Sequence, residues 1–281
     1  MNSILTIKAH KRPYYLKEVL NSLENCIGIE NQKILISLDF NLETRKESRD
    51  IVDSFKFRSN IDLRVHIHKL GCAGNMRYCL EESFENNNND FMIHLEDDTP
   101  VAKDFLLFMN WAYEYIKNNE NIFTICPFTR NCSGGGDESH QINKTILKPG
   151  FDCGGGYGIT KTQWEYIKSL GGMFGIVGPA ATEAPPEDWK RLQKITEDGS
   201  WAWPFRRYFC REKLNLFPEI NRTNNIGLKE GRFNPSEDFH RTNIYVENWA
   251  GNDRYINIDF RNITYLEPNV DDSKQSNNLP H

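Results

Sequence analysis

Three consecutive acids, Glu96, Asp97 and Asp98, directly follow a short apolar segment, residues 91–95. The apolar segment has the length and composition of a buried strand. Adjacent carboxylates at the end of a core strand repel one another and resist desolvation, so they contribute nothing as packing. A divalent cation bound to oxygen ligands would relieve that repulsion. The alternative is a solvated turn whose acids favour the N-terminus of the helix that follows.

Strand-like and helix-like segments alternate around this triplet. Strand patterns occupy residues 3–8, 33–38, 61–67, 91–95 and 122–126, and helical spacing occupies residues 15–23, 51–55, 72–84 and 105–116. The alternation predicts an α/β fold with a mostly parallel sheet and helices on both faces. Ligands of such sheets bind outside the carboxyl ends of the strands. Arg12, Asp39, Gly71 and the triplet fall at those ends, which predicts a nucleotide-sized cleft along one edge.

The cleft has no glycine-rich phosphate loop. No G-x-G-x-x-G fingerprint follows the first strand, and the chain contains no Gly-Lys-Ser/Thr loop. A diphosphate bound at this edge would therefore need a metal ion at the acidic triplet.

Composition limits the class of partner. The 281-residue chain has a net charge of −5 and no long basic run, which argues against a nucleic-acid partner. It has no apolar run long enough for a bilayer and no signal peptide, so we expect a cytoplasmic protein without a transmembrane segment. The seven cysteines lack the paired spacing of a zinc site and are expected to be free thiols.

The character of the sequence changes after residue 127. Residues 171–186 are rich in Gly, Pro and Ala, a short helix is predicted from Thr160, and a short strand is predicted over residues 215–220. Because no repeat or linker separates the halves, we predict one domain over residues 1–270. Its nucleotide half would be residues 1–127 and its acceptor half residues 128–270, followed by a polar tail at residues 271–281.

Four sequence blocks resemble, in order, the GT-A glycosyltransferases. They are residues 4–16, residues 94–105 with the triplet as a Glu-Asp-Asp form of the DXD motif, residues 154–164 with a glycine turn, and residues 216–227. The first, second and fourth are similar to the eukaryotic N-acetylglucosaminyltransferase I type, and the fourth is also similar to bacterial inverting enzymes. The resemblance implies a Rossmann-like GT-A fold and a nucleotide-sugar donor.

The resemblance also implies roles for the metal-side residues. Asp98 would bind Mn²⁺ or Mg²⁺ against the donor diphosphate, where the cation acts as a Lewis acid. Asp97 and Glu96 would contact the metal's waters, the ribose or the sugar. His240 could supply a further metal or diphosphate ligand, since imidazole binds Mn²⁺-like ions. Arg222 and Arg232 could offset the charge of the diphosphate.

Donor-side roles fall on four other residues. Arg12 and Asp39 would contact the base and the ribose, although an Asp after a strand is often a helix cap. Gly71 and Arg77 lie on the segment that borders the donor in the family. For Arg77, a plain surface arginine is an equally good interpretation.

The general base must be a carboxylate that reaches the acceptor hydroxyl. By its family position it would be Asp198 first, Glu197 second, with Asp188 as a candidate farther upstream. The eukaryotic members place this acid in a Trp-Asp-Asp-Trp run, whereas this chain has Trp201 and Trp203 around an alanine. Each of these acids could instead complement a helix N-terminus.

These observations predict a metal-dependent glycosyltransferase that moves a hexose or N-acetylhexosamine from a UDP-sugar to a hydroxyl acceptor, by inversion. UDP-glucose and UDP-N-acetylglucosamine are the favoured donors. The acceptor could be a glycan, a lipid-linked sugar, a protein or a modified base. A nucleotidyltransferase of similar fold and a non-catalytic sugar- or nucleotide-binding module are the alternatives.

Overall fold

The computed structural model describes residues 1–128, 141–151, 155–169, 213–228 and 257–270, with residues 210, 237, 241, 249–251 and 255. Its strands are β1 Ser3–Ala9, β2 Lys33–Leu38, β3 Ile61–Val65, β4 Phe91–Glu96, β5 Ile122–Ile125, β6 Thr145–Lys148, β7 Tyr157–Thr160, β8 Leu214–Pro218 and β9 Asn269–Val270. Its α-helices are α1 Pro13–Glu24, α2 Arg45–Asp53, α3 Gly71–Glu81, α4 Phe105–Ile116 and α5 Lys161–Ser169. The elements predicted before residue 127 are all present, with ends that differ by a few residues.

The described strands form one sheet in the order β3-β2-β1-β4-β7-β5-β8-β6-β9. The first four are parallel, and β1 lies at their centre with β2 on one side and β4 on the other. The chain therefore moves outward from β1 to β3 and then returns to place β4 beside β1. This reversal is the topological switch point at which open α/β sheets bind ligands.

The second half of the chain extends the same sheet. β7 is antiparallel to both β4 and β5, and β8 is parallel to β5. β6 is antiparallel to β8, and β9 runs parallel to β6. Six described strands thus share one direction, which confirms the predicted mostly parallel α/β sheet.

Residues of opposite parity along each strand fill two cores, one on each face of the sheet. Leu5, Ile7 and Ile93 pack in the cluster that includes α1, α2 and α4, whereas Ile4 and Met92 pack in the cluster that includes α3 and α5. Burial on both faces explains why these strands are continuously apolar rather than alternating. Within the described part of the chain, no helix has the length and apolar character needed to cross a membrane.

The five cysteines that the structure describes are free thiols, as expected; they are Cys26, Cys72, Cys79, Cys126 and Cys210.

Candidate active site

The carboxyl ends of β1 and β4 bring Arg12 to the acidic triplet. β1 and β4 are hydrogen-bonded neighbours with Lys8 opposite Glu96, so the turns that follow them are adjacent. Arg12 precedes Pro13, the first residue of α1, whose fixed φ suits a helix start. Arg12 Nη1 lies 2.8 Å from Asp98 Oδ2, and Nη2 contacts Asp97 Oδ1.

The acidic triplet is not a solvated turn. The side chains of Asp97 and Asp98 are only 4% and 9% exposed, and that of Glu96 is 20% exposed. Lys8 Nζ lies 2.9 Å from Glu96 Oε2, so this ion pair is separate from the one that Arg12 makes. Among the described residues, Lys8 thus pairs with Glu96, whereas Arg12 pairs with both Asp97 and Asp98.

Burial and neighbouring charges shift the pKa values of Glu96 and Asp97. Burial opposes ionisation of Glu96, but the Lys8 ammonium and the His94 ring bring its pKa down to about 2. Burial raises the pKa of Asp97 to about 6; the Arg12 guanidinium counters this effect, while the charges of Asp98 and Glu96 add to it. A further cation near Asp97 would favour its ionised form and lower its pKa.

A segment from the second half of the chain, residues 221–228, lies across Asp98. The backbone N–H of Ile226 donates to the Asp98 carbonyl at 2.9 Å, and Asn225 Nδ2 lies 3.3 Å from Asp98 Oδ1. At Gly227, an added Cβ would overlap Asp98 Oδ2 and lie 2.9 Å from its Cγ. Only glycine fits this close approach. The sequence resemblance included this segment but gave neither Asn225 nor Gly227 a role.

The glycine turn before β7 joins the same assembly. Gly156 has φ of +83°, and a Cβ there would overlap the His94 carbonyl oxygen. Thr223 Oγ1 donates to the Gly155 carbonyl at 2.7 Å. The four blocks singled out in the sequence therefore meet at the edge where β1 and β4 end.

Asp39 and Gly71 are brought together at the end of β2. Asp39 Oδ1 accepts from the backbone N–H groups of Phe40 at 2.8 Å and Leu70 at 2.7 Å, and Oδ2 accepts from that of Gly71 at 2.9 Å. Gly71 has φ of +73°, in the left-handed region. Asp39 thus complements the N-terminus of α3 rather than that of α2, the helix after its own strand. Its predicted contact with the ribose stays a prediction.

Two predicted arginines do not lie at the acidic triplet. Arg77 is exposed on α3 and pairs with Glu81 at 2.6 Å, on a different side of the helix from buried Asn75. The prediction that Arg222 offsets diphosphate charge is wrong. Arg222 is fully buried and its Nε lies 2.7 Å from Asp104 Oδ2, which also accepts from the Tyr265 hydroxyl at 2.7 Å. This network instead anchors the segment at residues 221–228.

Several predicted site residues lie outside the described residues. They are the candidate bases Asp188, Glu197 and Asp198, the candidate ligand His240, and Arg232.

The donor set at the triplet fits Mg²⁺ or Mn²⁺. Within the described residues, no three His, Cys, Asp or Glu side chains converge as a complete metal site. Asp97 and Asp98 nevertheless offer two hard oxygen ligands, and Mg²⁺ is commonly bound by one or two carboxylates with substrate phosphates and water. Burial and the neighbouring charges of Asp98 and Glu96 raise the pKa of Asp97, and a cation bound beside it would lower that pKa.

No protein-family model matches the chain, and no curated protein sequence matches it. The solved structures that it resembles include glycosyltransferases.

Three of these solved structures can be compared in detail. GalNAc-T7 with UDP, GalNAc and Mn²⁺ has 15% identity and a TM-score of 0.49, covering 79% of this chain and 43% of that chain. Residues 1–349 of S. aureus TarS with UDP have 13% identity and a TM-score of 0.43, covering 60% and 48%. The mannosyltransferase PcManGT of Pyrobaculum calidifontis with GDP-Man and Mn²⁺ has 11% identity and a TM-score of 0.43, covering 60% and 47%. The matched region is less than half of each of these chains.

Proposed function

We propose that this protein is a metal-dependent glycosyltransferase that moves a hexose or N-acetylhexosamine from a UDP-sugar to a hydroxyl acceptor. The observation that carries the proposal is the buried cluster at the switch point of the sheet. Asp97, Asp98 and Arg12 converge there beneath the segment that holds Asn225 and Gly227. A core gains nothing from such a cluster unless it binds charge.

The order of the strands supports one direction for the donor along the edge. Asp39 and Gly71 lie at the end of β2, Arg12 follows β1, and the acids follow β4. Neighbouring strands are about 4.8 Å apart, so β2 and β4 are separated by roughly 10 Å, enough for a nucleoside and its diphosphate. We place the nucleoside toward Asp39 and the diphosphate toward Asp98.

The leaving group of the reaction is a nucleoside diphosphate, on which negative charge develops. A divalent cation held by Asp98 and Asp97 would supply Lewis-acid stabilisation of that charge. Arg12 can offer its guanidinium fork to phosphate oxygens, a geometry that suits bidentate recognition. Asn225 holds Asp98 from the other side and keeps the carboxylate oriented.

Transfer also requires a base for the acceptor hydroxyl. Asp198, Glu197 and Asp188 remain our candidates, in that order, for an inverting single displacement. The acceptor we expect is a glycan, a lipid-linked sugar or a protein hydroxyl, with a modified base as a weaker candidate because the chain is acidic.

The direct test is donor binding followed by turnover. Purified protein is melted with a panel of nucleotide sugars, with and without Mn²⁺. A ligand that binds only the folded state at one hundred times its Kd adds about 2.7 kcal/mol of stability. We expect UDP or a UDP-sugar to raise the melting temperature only when Mn²⁺ is present, and the UDP-sugar to be hydrolysed slowly without acceptor.

Asp98→Asn is the test variant and Asp62→Asn is its control. Asp62 is an exposed acid on β3 that pairs with Arg64, so its loss should leave both signals intact. Asp98→Asn should abolish the metal-dependent shift and the hydrolysis. Binding without turnover would favour a non-catalytic module, release of pyrophosphate from a nucleoside triphosphate would favour a nucleotidyltransferase, and no binding under any metal would refute the proposal.

A further inference from the structure

The Arg12 guanidinium occupies the oxygens that a divalent cation would need. It contacts Asp97 Oδ1 and lies 2.8 Å from Asp98 Oδ2, and its own side chain is only 14% exposed. A Mg²⁺ ion bridging the same two oxygens would lie about 2.1 Å from each of them. Such an ion would be next to the guanidinium nitrogens, with like charge and little water between. The two cations cannot share these oxygens in the arrangement observed.

Arg12 is held in this position by its surroundings. The Tyr15 ring lies 5.3 Å from the guanidinium carbon, and the Arg12 carbonyl accepts from the backbone N–H groups of Tyr15 and Leu16 at the start of α1. Lys8 is engaged by Glu96. In the described part of the chain, Arg12 is therefore the cation that pairs with Asp97 and Asp98.

A diphosphate is the kind of ligand that could draw Arg12 away. It brings several negative charges and pairs of oxygens that match the guanidinium fork. Once Arg12 turns toward the phosphates, both carboxylates gain free lone pairs and lose their counter-charge, which favours a divalent cation. Each ligand thereby prepares the site for the other, and the coupling free energy is the same in both directions.

We propose that Arg12 competes with the divalent cation for Asp97 and Asp98, so that the free protein binds metal weakly and takes it up together with a diphosphate. The inference rests on the metal site of the proposed function. In this proposal Arg12 controls when the divalent cation binds relative to the diphosphate, in addition to its predicted contact with the donor.

The experiment measures the binding of Mn²⁺ alone to the full chain, by the loss of the free-ion signal in electron paramagnetic resonance. We expect Arg12→Met to bind Mn²⁺ at least about tenfold more tightly than the wild type, because a unit charge within a few ångströms is removed from a partly buried site. Arg64→Met is the matched control. Arg64 lies 2.8 Å from Asp62 on the exposed side of β3, so its loss should leave Mn²⁺ affinity unchanged.

Two further measurements complete the test. UDP should raise Mn²⁺ affinity strongly in the wild type and much less in Arg12→Met, because the competitor is already gone. Arg12→Lys keeps the positive charge but lacks the guanidinium fork, so we expect a gain in Mn²⁺ affinity that is smaller than the gain in Arg12→Met. Arg12→Lys serves as the test variant if Arg12→Met does not fold.

Equal Mn²⁺ affinity in the wild type and the folded Arg12 variant, or tighter binding by the wild type, would overturn the inference. Absence of Mn²⁺ binding in every protein would overturn it as well. The titration contains no sugar donor, so its result does not depend on catalysis. A wild type that fails to turn over UDP-sugars can still bind Mn²⁺ less tightly than Arg12→Met.

Discussion

Replacement of Gly227 by alanine tests how closely the segment at residues 221–228 approaches the acidic triplet. The new Cβ would lie 2.9 Å from Asp98 Cγ and 3.2 Å from Arg12 Nη1, whereas ordinary contacts begin near 3.4 Å. Relief of the first contact alone needs a displacement of about half an ångström, and overlap with Asp98 Oδ2 requires more. Neither Asp98 nor the backbone can move that far without losing the hydrogen bond from Ile226 or the ion pair with Arg12.

Overpacking of this kind typically costs about 1–3 kcal/mol. For a chain of this size we expect Gly227→Ala to lower the melting temperature by roughly 2–8 °C. The larger effect should be functional, because the shift displaces a carboxylate of the metal site. We expect metal-dependent UDP binding to weaken at least about tenfold, which corresponds to 1.4 kcal/mol.

The control is Gly74→Ala in the middle of α3. There the nearest atom to an added Cβ is Leu70 Cβ at 3.4 Å, an ordinary contact. Alanine is favoured over glycine in a helix by about 1 kcal/mol, so this variant should melt at or above the wild-type temperature. If Gly227→Ala matches Gly74→Ala in both melting and UDP binding, the segment does not lie over Asp98 as described.

Two other substitutions probe the buried charges. Arg222→Met should destabilise the protein by about 3–5 kcal/mol, because it leaves Asp104 buried without its cation. A urea unfolding curve measures this loss in the free energy of unfolding. A loss below about 1 kcal/mol would contradict the ion pair between Arg222 and Asp104. Lys8→Met should destabilise most above pH 5. Lys8 and His94 together lower the pKa of Glu96 from 4.5 to about 2, so the ionised form of Glu96 adds roughly 3 kcal/mol of stability above pH 4.5, and this contribution is lost as the pH falls toward 2. Urea unfolding at pH 7 and pH 3 should therefore show a larger gap between wild type and Lys8→Met at pH 7, and an equal gap at both pH values would contradict the assignment.

Much of the first half of the fold could be predicted because its signals are local. The strands β1, β2 and β4 are buried on both faces and read as short apolar runs, and the residues after them necessarily lie at one edge. These two signals were enough to predict that Arg12 lies near the acidic triplet. It was not enough to expect a direct ion pair, because the side-chain contact depends on the register of β1 against β4.

The second half of the sheet carried weaker signals. β7 lies antiparallel between β4 and β5, yet its residues follow a glycine run, and Thr160 was predicted to begin a helix rather than to end a strand. Gly158 is there because Phe91 and Met109 leave no room for a side chain. A glycine selected by a distant contact has no local pattern that identifies it.

The partners of individual charged residues could not be predicted from the sequence, for one physical reason. Asp39 was assigned to the donor from its place after a strand, which stays a prediction, and its oxygens accept from N–H groups 31 and 32 residues away. Arg222 was assigned from its charge, but its partner Asp104 is 118 residues away. A charged residue in a sequence shows that a partner is needed, and only the fold shows which partner it has.

The acidic site depends on both halves of the chain in the same way. Asp98 belongs to the parallel half of the sheet, whereas Asn225, 127 residues farther along, supplies the amide against its Oδ1. Arg222 fixes that second segment by reaching back to Asp104 at the N-terminus of α4, and the Ala102 N–H donates to the Arg222 carbonyl at 2.8 Å. The segment that covers the carboxylate is therefore anchored to the turn that carries it. A site built in this way can keep Asp97 and Asp98 buried, because the backbone that confines them also excludes the water that would otherwise separate them from Arg12.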